Sequence, residues 1–438
     1  MLFRQFVDED LGCGSYLVGD ADAGDALLVD PAYAIEQYLE EAERTGVRIT
    51  RVLETHTHAD HVSGHGRLAL EHGIPVSIHS AAEAEYPHEP LADGDELSVG
   101  SVTVRCLHTP GHRPEHCCFL ANNVLLTGDS LFCGSIARPD LAVEAREGAA
   151  GLFHSLHRLL ELPDDVQVFP GHVAGSLCGV GMRADPSSTI GAERRGNALL
   201  ALATISEFVD EATGTPTPRP PNMERIVDLN RGPFLGVAPP PRPVADPNGA
   251  TVLDVRSADA YAAGHVRGAL NVPVAGGSFG MKAGFLLRRG EPIVLHAASP
   301  AEAELAARRL RAIGFLDLHG YLDEPEATEA IEPVDVTELE GLLRNPDVAV
   351  IDVRELDEWD TGFIPGSRHI PYRLLRAAGA AAADGKRVVT ICESGPRAAV
   401  AASVLAAAGV DARPVLNGGI HDWQQRGGHT VEFRRCGS

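Results

Sequence analysis

The second half of this chain carries one pattern twice. Leu253-Asp254-Val255-Arg256 returns as Ile351-Asp352-Val353-Arg354, 98 residues later. Gly264-His265-Val266-Arg267-Gly268 returns as Gly362-Phe363-Ile364-Pro365-Gly366 at the same offset, and Leu310-Arg311-Ala312-Ile313-Gly314 as Leu405-Ala406-Ala407-Ala408-Gly409 at an offset of 95. Two copies of one small α/β unit account for this. Each reads as a buried strand, a turn-rich segment, a second strand and a helix with apolar residues at helical spacing. A chain of 438 residues has room for both copies and a further domain before them. The run Pro239-Pro240-Pro241-Arg242-Pro243, with Pro247 beyond, marks the join; such a run is expected to stay extended and outside any sheet ladder. The expected division is a first domain over 1–232, a Pro-rich linker over 233–248, and the two copies over 249–330 and 333–438.

The first domain alternates differently. Ile35, Tyr38, Leu39 and Ala42 form a helical stripe, and residues 51–54, 75–78, 102–105, 124–126 and 166–169 are short strand candidates. Mixed strands and helices over this length point to layered α/β packing. Hydrophobic residues make up 44% and charged residues 22%, enough for each unit to bury a core. The net charge of −24, with no Lys/Arg block, argues against a nucleic-acid or anionic-membrane surface. No stretch approaches 18 consecutive apolar residues and the first residues lack the apolar run of a secretory signal, so a soluble, cytoplasmic protein is expected. The eight cysteines are dispersed without a CxxC pair, which speaks against a disulfide framework or structural zinc.

Histidine is concentrated: thirteen of nineteen precede residue 173. Immediately after the first strand candidate comes His56-Thr57-His58-Ala59-Asp60-His61. His112 follows the strand at 102–105, Asp129 ends the one at 124–126, and His172 follows the one at 166–169. Each sits just past a strand, where loops converge on one rim, and neutral imidazoles and carboxylates gathered there suit a divalent metal.

This pattern, with Thr109-Pro110-Gly111-His112 and Thr127-Gly128-Asp129-Ser130, resembles the metallo-β-lactamase superfamily, and within it the persulfide dioxygenase and glyoxalase II branches. The resemblance implies an αββα sandwich with metal at one sheet edge. In the dioxygenase branch it implies one Fe(2+) per chain on His56, His112 and Asp129, with His58, Asp60, His61 and His172 orienting ligands and oxygen from outside the ligand set or holding a second metal. A glyoxalase II-like enzyme would instead use the same residues for two zinc ions bridged by Asp129 and hydrolyse a thioester.

In the second copy, the strand 387–391 is followed by Cys392-Glu393-Ser394-Gly395-Pro396-Arg397 and a helix. A cysteine there faces backbone N–H groups and the positive end of the helix dipole, which stabilise a thiolate or an anionic persulfide. Arg397 is expected to add positive charge. A cysteine phosphatase needs five residues between Cys and Arg; four make a tighter cup suited to a sulfur atom. The segment resembles rhodanese sulfurtransferases, which implies that Cys392 is catalytic and that Glu393, Ser394, Gly395, Pro396 and Arg397 cradle its persulfide. In the first copy, Ala297 stands at the cysteine position and Glu302 at the arginine position, so that copy reads as inactive.

The whole arrangement resembles the persulfide dioxygenase–rhodanese fusion family. It implies a non-heme iron enzyme that oxidises low-molecular-weight thiol persulfides to sulfite with O2 and moves sulfane sulfur through Cys392, making or using thiosulfate. The expected partners are those small molecules and further copies of the chain, with no nucleic acid and no membrane. Cys178, six residues past His172, reads chiefly as packing; Cys117 and Cys118 carry no expected chemistry, and His79, His88 and His116 read as surface or satisfied residues.

Overall fold

A computed structural model describes residues 1–173, 181–214 and 218–433. The chain divides into two compact units, one of residues 1–239 with 309–316, the other of residues 240–308 with 317–438.

In the first unit two six-stranded sheets lie face to face. One runs, in spatial order, Leu2–Val7, Gly14–Asp20, Asp25–Val29, Arg48–Leu53, Val76–His79 and Glu89–Leu91. The other runs Ser188–Thr189, Gln167–Pro170, Val124–Gly128, Cys117–Ala121, Val102–His108 and Glu96–Val99. Alternation along each strand assigns residues to layers. Tyr16, Val18, Leu27, Val29 and Leu53 meet Val102, Val104, Phe119, Val124 and Leu126 between the sheets. The intervening Leu17, Leu28 and Val52 face outward against Tyr38 and Ala42 of the helix Glu36–Thr45. Leu125 and Val168 face Leu152, Leu156 and Leu159 of the helix Ala145–Leu159. This is the αββα sandwich. Cys117 points between the sheets and Cys118 toward the outer helices, so both are buried and both pack. All five strand candidates of this domain are strands.

The second unit contains two parallel sheets. The first orders Pro243–Val244, Leu318–Leu322, Ile293–His296, Thr251–Asp254 and Leu270–Asn271; the second orders Arg368–His369, Val348–Asp352, Arg387–Ile391 and Ala412–Pro414. The repeated Asp-Val-Arg phrase has a structural cause. Arg256 grips Asp254 and reaches the carbonyl of Gly264 at 2.8 Å; Arg354 grips Asp352 and reaches that of Gly362 at 2.6 Å. An ion pair at a strand end thus ties down the turn beyond it.

One expectation is corrected. The proline run was expected to stay outside any ladder, yet Pro243–Val244 pairs in parallel with Tyr321 and Leu322. The strand lies at the sheet edge. Its bonds use the carbonyls of Arg242 and Val244, which accept from the N–H groups of Tyr321 and Asp323, so the ladder never asks Pro243 for a donor. Edge position removes the objection to proline, and the expected linker 233–248 therefore contains a strand. No helix among the described residues is long and apolar enough to cross a membrane.

Candidate metal centre and cysteine loop

The strand Arg48–Leu53 delivers the chain to the rim at residues 54–61. Thr55 donates from both its N–H (2.7 Å) and its hydroxyl (2.8 Å) to Asp30, so the hydroxyl accepts from His56 Nδ1–H at 2.9 Å. That fixes the tautomer and leaves His56 Nε2 as a lone pair. His112 is set in the same way: its Nδ1–H donates to the Arg138 carbonyl at 2.9 Å, and Nε2 lies 3.6 Å from Asp129 Oδ2. Asp129 follows Gly128, whose φ of +46° brings its backbone so near that a Cβ would meet His116 Nε2 and Thr55 Oγ1 at 2.7 Å. Only glycine fits that turn.

The ligand atoms of His56, His112 and Asp129 lie within 4.8 Å of one another, and all three residues are buried. Among the described residues, His56 Nε2 and both Asp129 carboxylate oxygens have no hydrogen-bond partner. Buried lone pairs and a carboxylate converging without donors are costly, and a cation is what relieves the cost. Protonation states agree. Burial and the neighbouring His58 and His112 hold His56 well below the usual imidazole range, and burial lowers His112 too. Burial opposes charge on Asp129, but His172 and His112 outweigh it and hold the carboxyl at about 2. Neutral imidazoles and an ionised carboxylate are what a metal requires. The residues fit a metal cofactor.

The other four histidine–aspartate residues surround the same rim. His58 Nε2 lies 3.2 Å from both Asp30 Oδ1 and Glu54 Oε2. Asp60 Oδ2 lies 3.1 Å from His61 Nδ1 and 3.3 Å from His172 Nε2, which is also 3.4 Å from Asp129 Oδ2. The structure therefore brings all seven together.

It also adds residues that the sequence pattern missed. Asp30 and Glu54 clamp His58, and Asp30 sits just past the strand Asp25–Val29, the position already used to select the histidines. Cys13 is buried with its thiol donating to Asp60 at 3.0 Å. His116, expected to be an ordinary residue, is fully buried with its ring 5.2 Å from that of His56. It precedes the strand Cys117–Ala121, which is antiparallel to both neighbours, so that strand's beginning lies at the rim where theirs end. His79 is also buried, stacked on His108. Cys178 lies outside the described residues.

Cys392 lies between the strand Arg387–Ile391 and the helix Pro396–Ala407, almost fully buried, and accepts the Gly395 N–H on its sulfur at 3.1 Å. Gly395 adopts φ +108°, and a Cβ there would stand 2.0 Å from the Leu416 carbonyl. The charge of the loop differs from expectation. Arg397 is held by both oxygens of Glu358, at 2.5 and 2.6 Å, and Glu393 pairs with Arg354 at 3.1 Å. The cation beside the thiol is thus neutralised by a carboxylate 39 positions away in sequence. In the first copy, Glu302 turns its carboxylate onto the Ala298 N–H at 2.5 Å. A carboxylate takes up a loop donor there.

Comparison with known proteins agrees with this architecture. Residues 9–172 match the metallo-β-lactamase superfamily, and residues 242–324 and 335–426 match the rhodanese-like domain. The mitochondrial persulfide dioxygenase of Bos taurus is 30% identical over 249 residues, covering 55% of this chain and 91% of its own. A hydroxyacylglutathione hydrolase of Xylella fastidiosa is 33% identical over 228 residues, covering 50% and 79%. The crystal structure of a metallo-β-lactamase from Staphylococcus aureus subsp. aureus COL has 30% identity and a TM-score of 0.67, covering 74% of this chain and 98% of that one. The chain belongs to the metallo-β-lactamase superfamily, is homologous to persulfide dioxygenases, and carries two tandem rhodanese-like domains behind its metal domain.

Proposed function

We propose that this chain is a persulfide dioxygenase–sulfurtransferase with a metal domain over residues 1–232. It oxidises low-molecular-weight thiol persulfides to sulfite, R–S–S⁻ + O2 + H2O → RSH + SO3²⁻ + H⁺, at one Fe(II) held by His56, His112 and Asp129. Iron held there by the two histidines and the carboxylate would supply the redox chemistry that joins oxygen to a sulfur anion. The observation that carries the reading is the pairing of that buried two-histidine, one-carboxylate cluster with an intact sulfur-binding cysteine loop in one chain.

Around the metal, this chain's residues orient and exclude. Thr55 and the Arg138 carbonyl fix the ligand imidazoles, while His58, Asp60, His61 and His172 turn their polar atoms toward the same rim. At the second site, the Cys392 thiolate takes the outer sulfur of a persulfide and releases the thiol. Sulfite then attacks that sulfur, giving thiosulfate and restoring the thiolate. The Gly395 N–H donates to the sulfur, and Glu393 through Arg397 wrap it. The reverse direction uses the same groups.

The proximity of all seven residues also favours a second reading, a dinuclear zinc thioesterase of the glyoxalase II kind, and the Xylella fastidiosa relative is named a hydroxyacylglutathione hydrolase. Metal analysis of anaerobically prepared protein, with oxygen uptake on glutathione persulfide, separates the two. One iron per chain and rapid uptake is the expected result; two zinc ions with thioester cleavage and no uptake overturns it.

A further inference from the structure

The helix Met223–Arg231 buries Met223, Ile226 and Leu229, and on its last turn it also buries an asparagine, Asn230. Its side chain makes three hydrogen bonds, all to the backbone of one loop. Asn230 Nδ2 donates to the carbonyls of His58 at 3.0 Å and His61 at 2.8 Å, and Oδ1 accepts from the Ser63 N–H at 2.9 Å. That loop carries His56, His58, Asp60 and His61. We propose that Asn230 is a positioning residue of the metal centre: by fixing the backbone from His58 to Ser63 it sets how tightly the metal is held.

The chemistry of the side chain supports this. A primary amide offers two donors and an acceptor on one rigid plane, and here all three meet backbone groups. Reversing the amide would oppose its oxygen to two carbonyls, so the network admits one orientation. Aspartate would keep the acceptor, lose both donors and place a charge against two carbonyl oxygens. An apolar residue of the same size would strand three buried backbone groups.

The geometry shows why the metal should feel the change. The side chains at the rim have their own ties: His58 lies between Asp30 and Glu54, and His61 lies against Asp60. Those ties leave free the path of the backbone that carries them. Two further bonds hold its far end, from Val62 N–H to the Ala312 carbonyl at 2.6 Å and from Gly64 N–H to the Pro31 carbonyl at 2.7 Å. The carbonyls of His58 and His61 are tied by Asn230. A site that tolerates about half an ångström of misplacement depends on such supports. Asn230 lies beyond the residues 9–172 that match the superfamily, so the histidine pattern does not report it.

The test uses the full chain, stripped of metal, as Asn230→Ala, Asn230→Asp and a control, Asn222→Ala. Asn222 is on the same segment, buried, and donates to the Ile313 carbonyl at 2.8 Å. Zn(II) and, anaerobically, Fe(II) are titrated against a competing chelator, and thermal unfolding of the metal-free proteins is followed in parallel. Asn230→Ala is expected to weaken metal binding about 10- to 100-fold, the usual scale for a lost support of a metal ligand. Asn230→Asp weakens it at least as much. Asn222→Ala leaves affinity within about twofold of the parent even where its melting temperature falls as far as that of Asn230→Ala. Parent-like affinity in Asn230→Ala overturns the proposal, as does an equal loss of affinity in Asn222→Ala, which would assign the effect to helix docking alone. Should Asn230→Ala not fold, the isosteric Asn230→Asp takes its place: weakened binding supports the proposal and parent-like affinity overturns it.

Discussion

The two rhodanese-like copies share a scaffold, the first with one more edge strand, and differ in the loop that follows one central strand. In each, a buried aspartate at the end of a central strand grips an arginine two residues on, and that arginine closes onto a glycine carbonyl eight residues further. In each, the next strand of the sheet ends beside the aspartate, Asp254 opposite His296 and Asp352 opposite Ile391. The loops leaving that strand diverge. One presents Cys392 beneath the Gly395 N–H; the other has Ala297 and draws Glu302 onto the Ala298 N–H. The ion pair is retained where the thiol is gone. Its shared work is therefore to hold the turn, and in the second copy Arg354 also reaches Glu393 of the cysteine loop.

The largest effect should come from removing what only one copy has. Cys392→Ser is expected to lower sulfur transfer from persulfide to sulfite by at least about a thousandfold, because no hydroxyl there can carry sulfane sulfur. Oxygen uptake should continue. Thiosulfate formation and oxygen consumption measured on the same preparation would show this, and parallel loss of both would mean that the two sites do not work independently. Next comes what both copies share. Asp352→Ala leaves the buried Arg354 with only the half-exposed Glu393 as counter-ion and should cost about 3 kcal/mol, the lower end for a broken buried pair. Asp254→Ala should fall at or below the lower end, since Arg256 is less buried. Denaturant titration reads both. A cost at Asp352 with none at Asp254 would break the comparison, because it would tie the pair to the working loop rather than to the scaffold.

Sequence conveyed the fold where local pattern and burial agree. Strands such as Gly14–Asp20 and Val124–Gly128 are buried along their whole length because both faces are covered, whereas Val102–His108 alternates buried residues with exposed ones, and both patterns read as strand. The histidines were legible because each follows the C-terminal end of a strand, and these ends gather at one rim. His116 was not, since its place depends on strand direction, which periodicity does not reveal. Pro243 misled for a related reason: a proline forbids a ladder bond only on the side where the ladder needs a donor, and that side depends on which strand lies beside it. The pairing of Arg397 with Glu358 and the hold of Asn230 on the metal loop join residues 39 and more than 160 positions apart. No local signal precedes such contacts, although a lone asparagine among the buried apolar residues of a helix is a place to look.

The smallest expected effect sharpens the comparison most, because it asks whether the thiol alone separates the copies. In a Cys392→Ser background, Ala297→Cys restores a sulfur at the equivalent position. Pro300, at the place of Gly395, has no N–H, and the Ala298 N–H is given to the Glu302 carboxylate, so a thiolate at residue 297 would lack a donor and face a negative charge. Loading of that cysteine by a persulfide, counted as one added sulfur atom by mass spectrometry, should remain well below that of Cys392. Adding Glu302→Ala frees the Ala298 N–H and removes the charge, and one hydrogen bond gained by the thiolate should raise loading roughly two- to tenfold. Full loading by Ala297→Cys alone would reduce the difference between the copies to a single missing atom. No gain on removing Glu302 would instead place the difference in the path of the loop backbone, where Gly395 has no counterpart beyond Pro300.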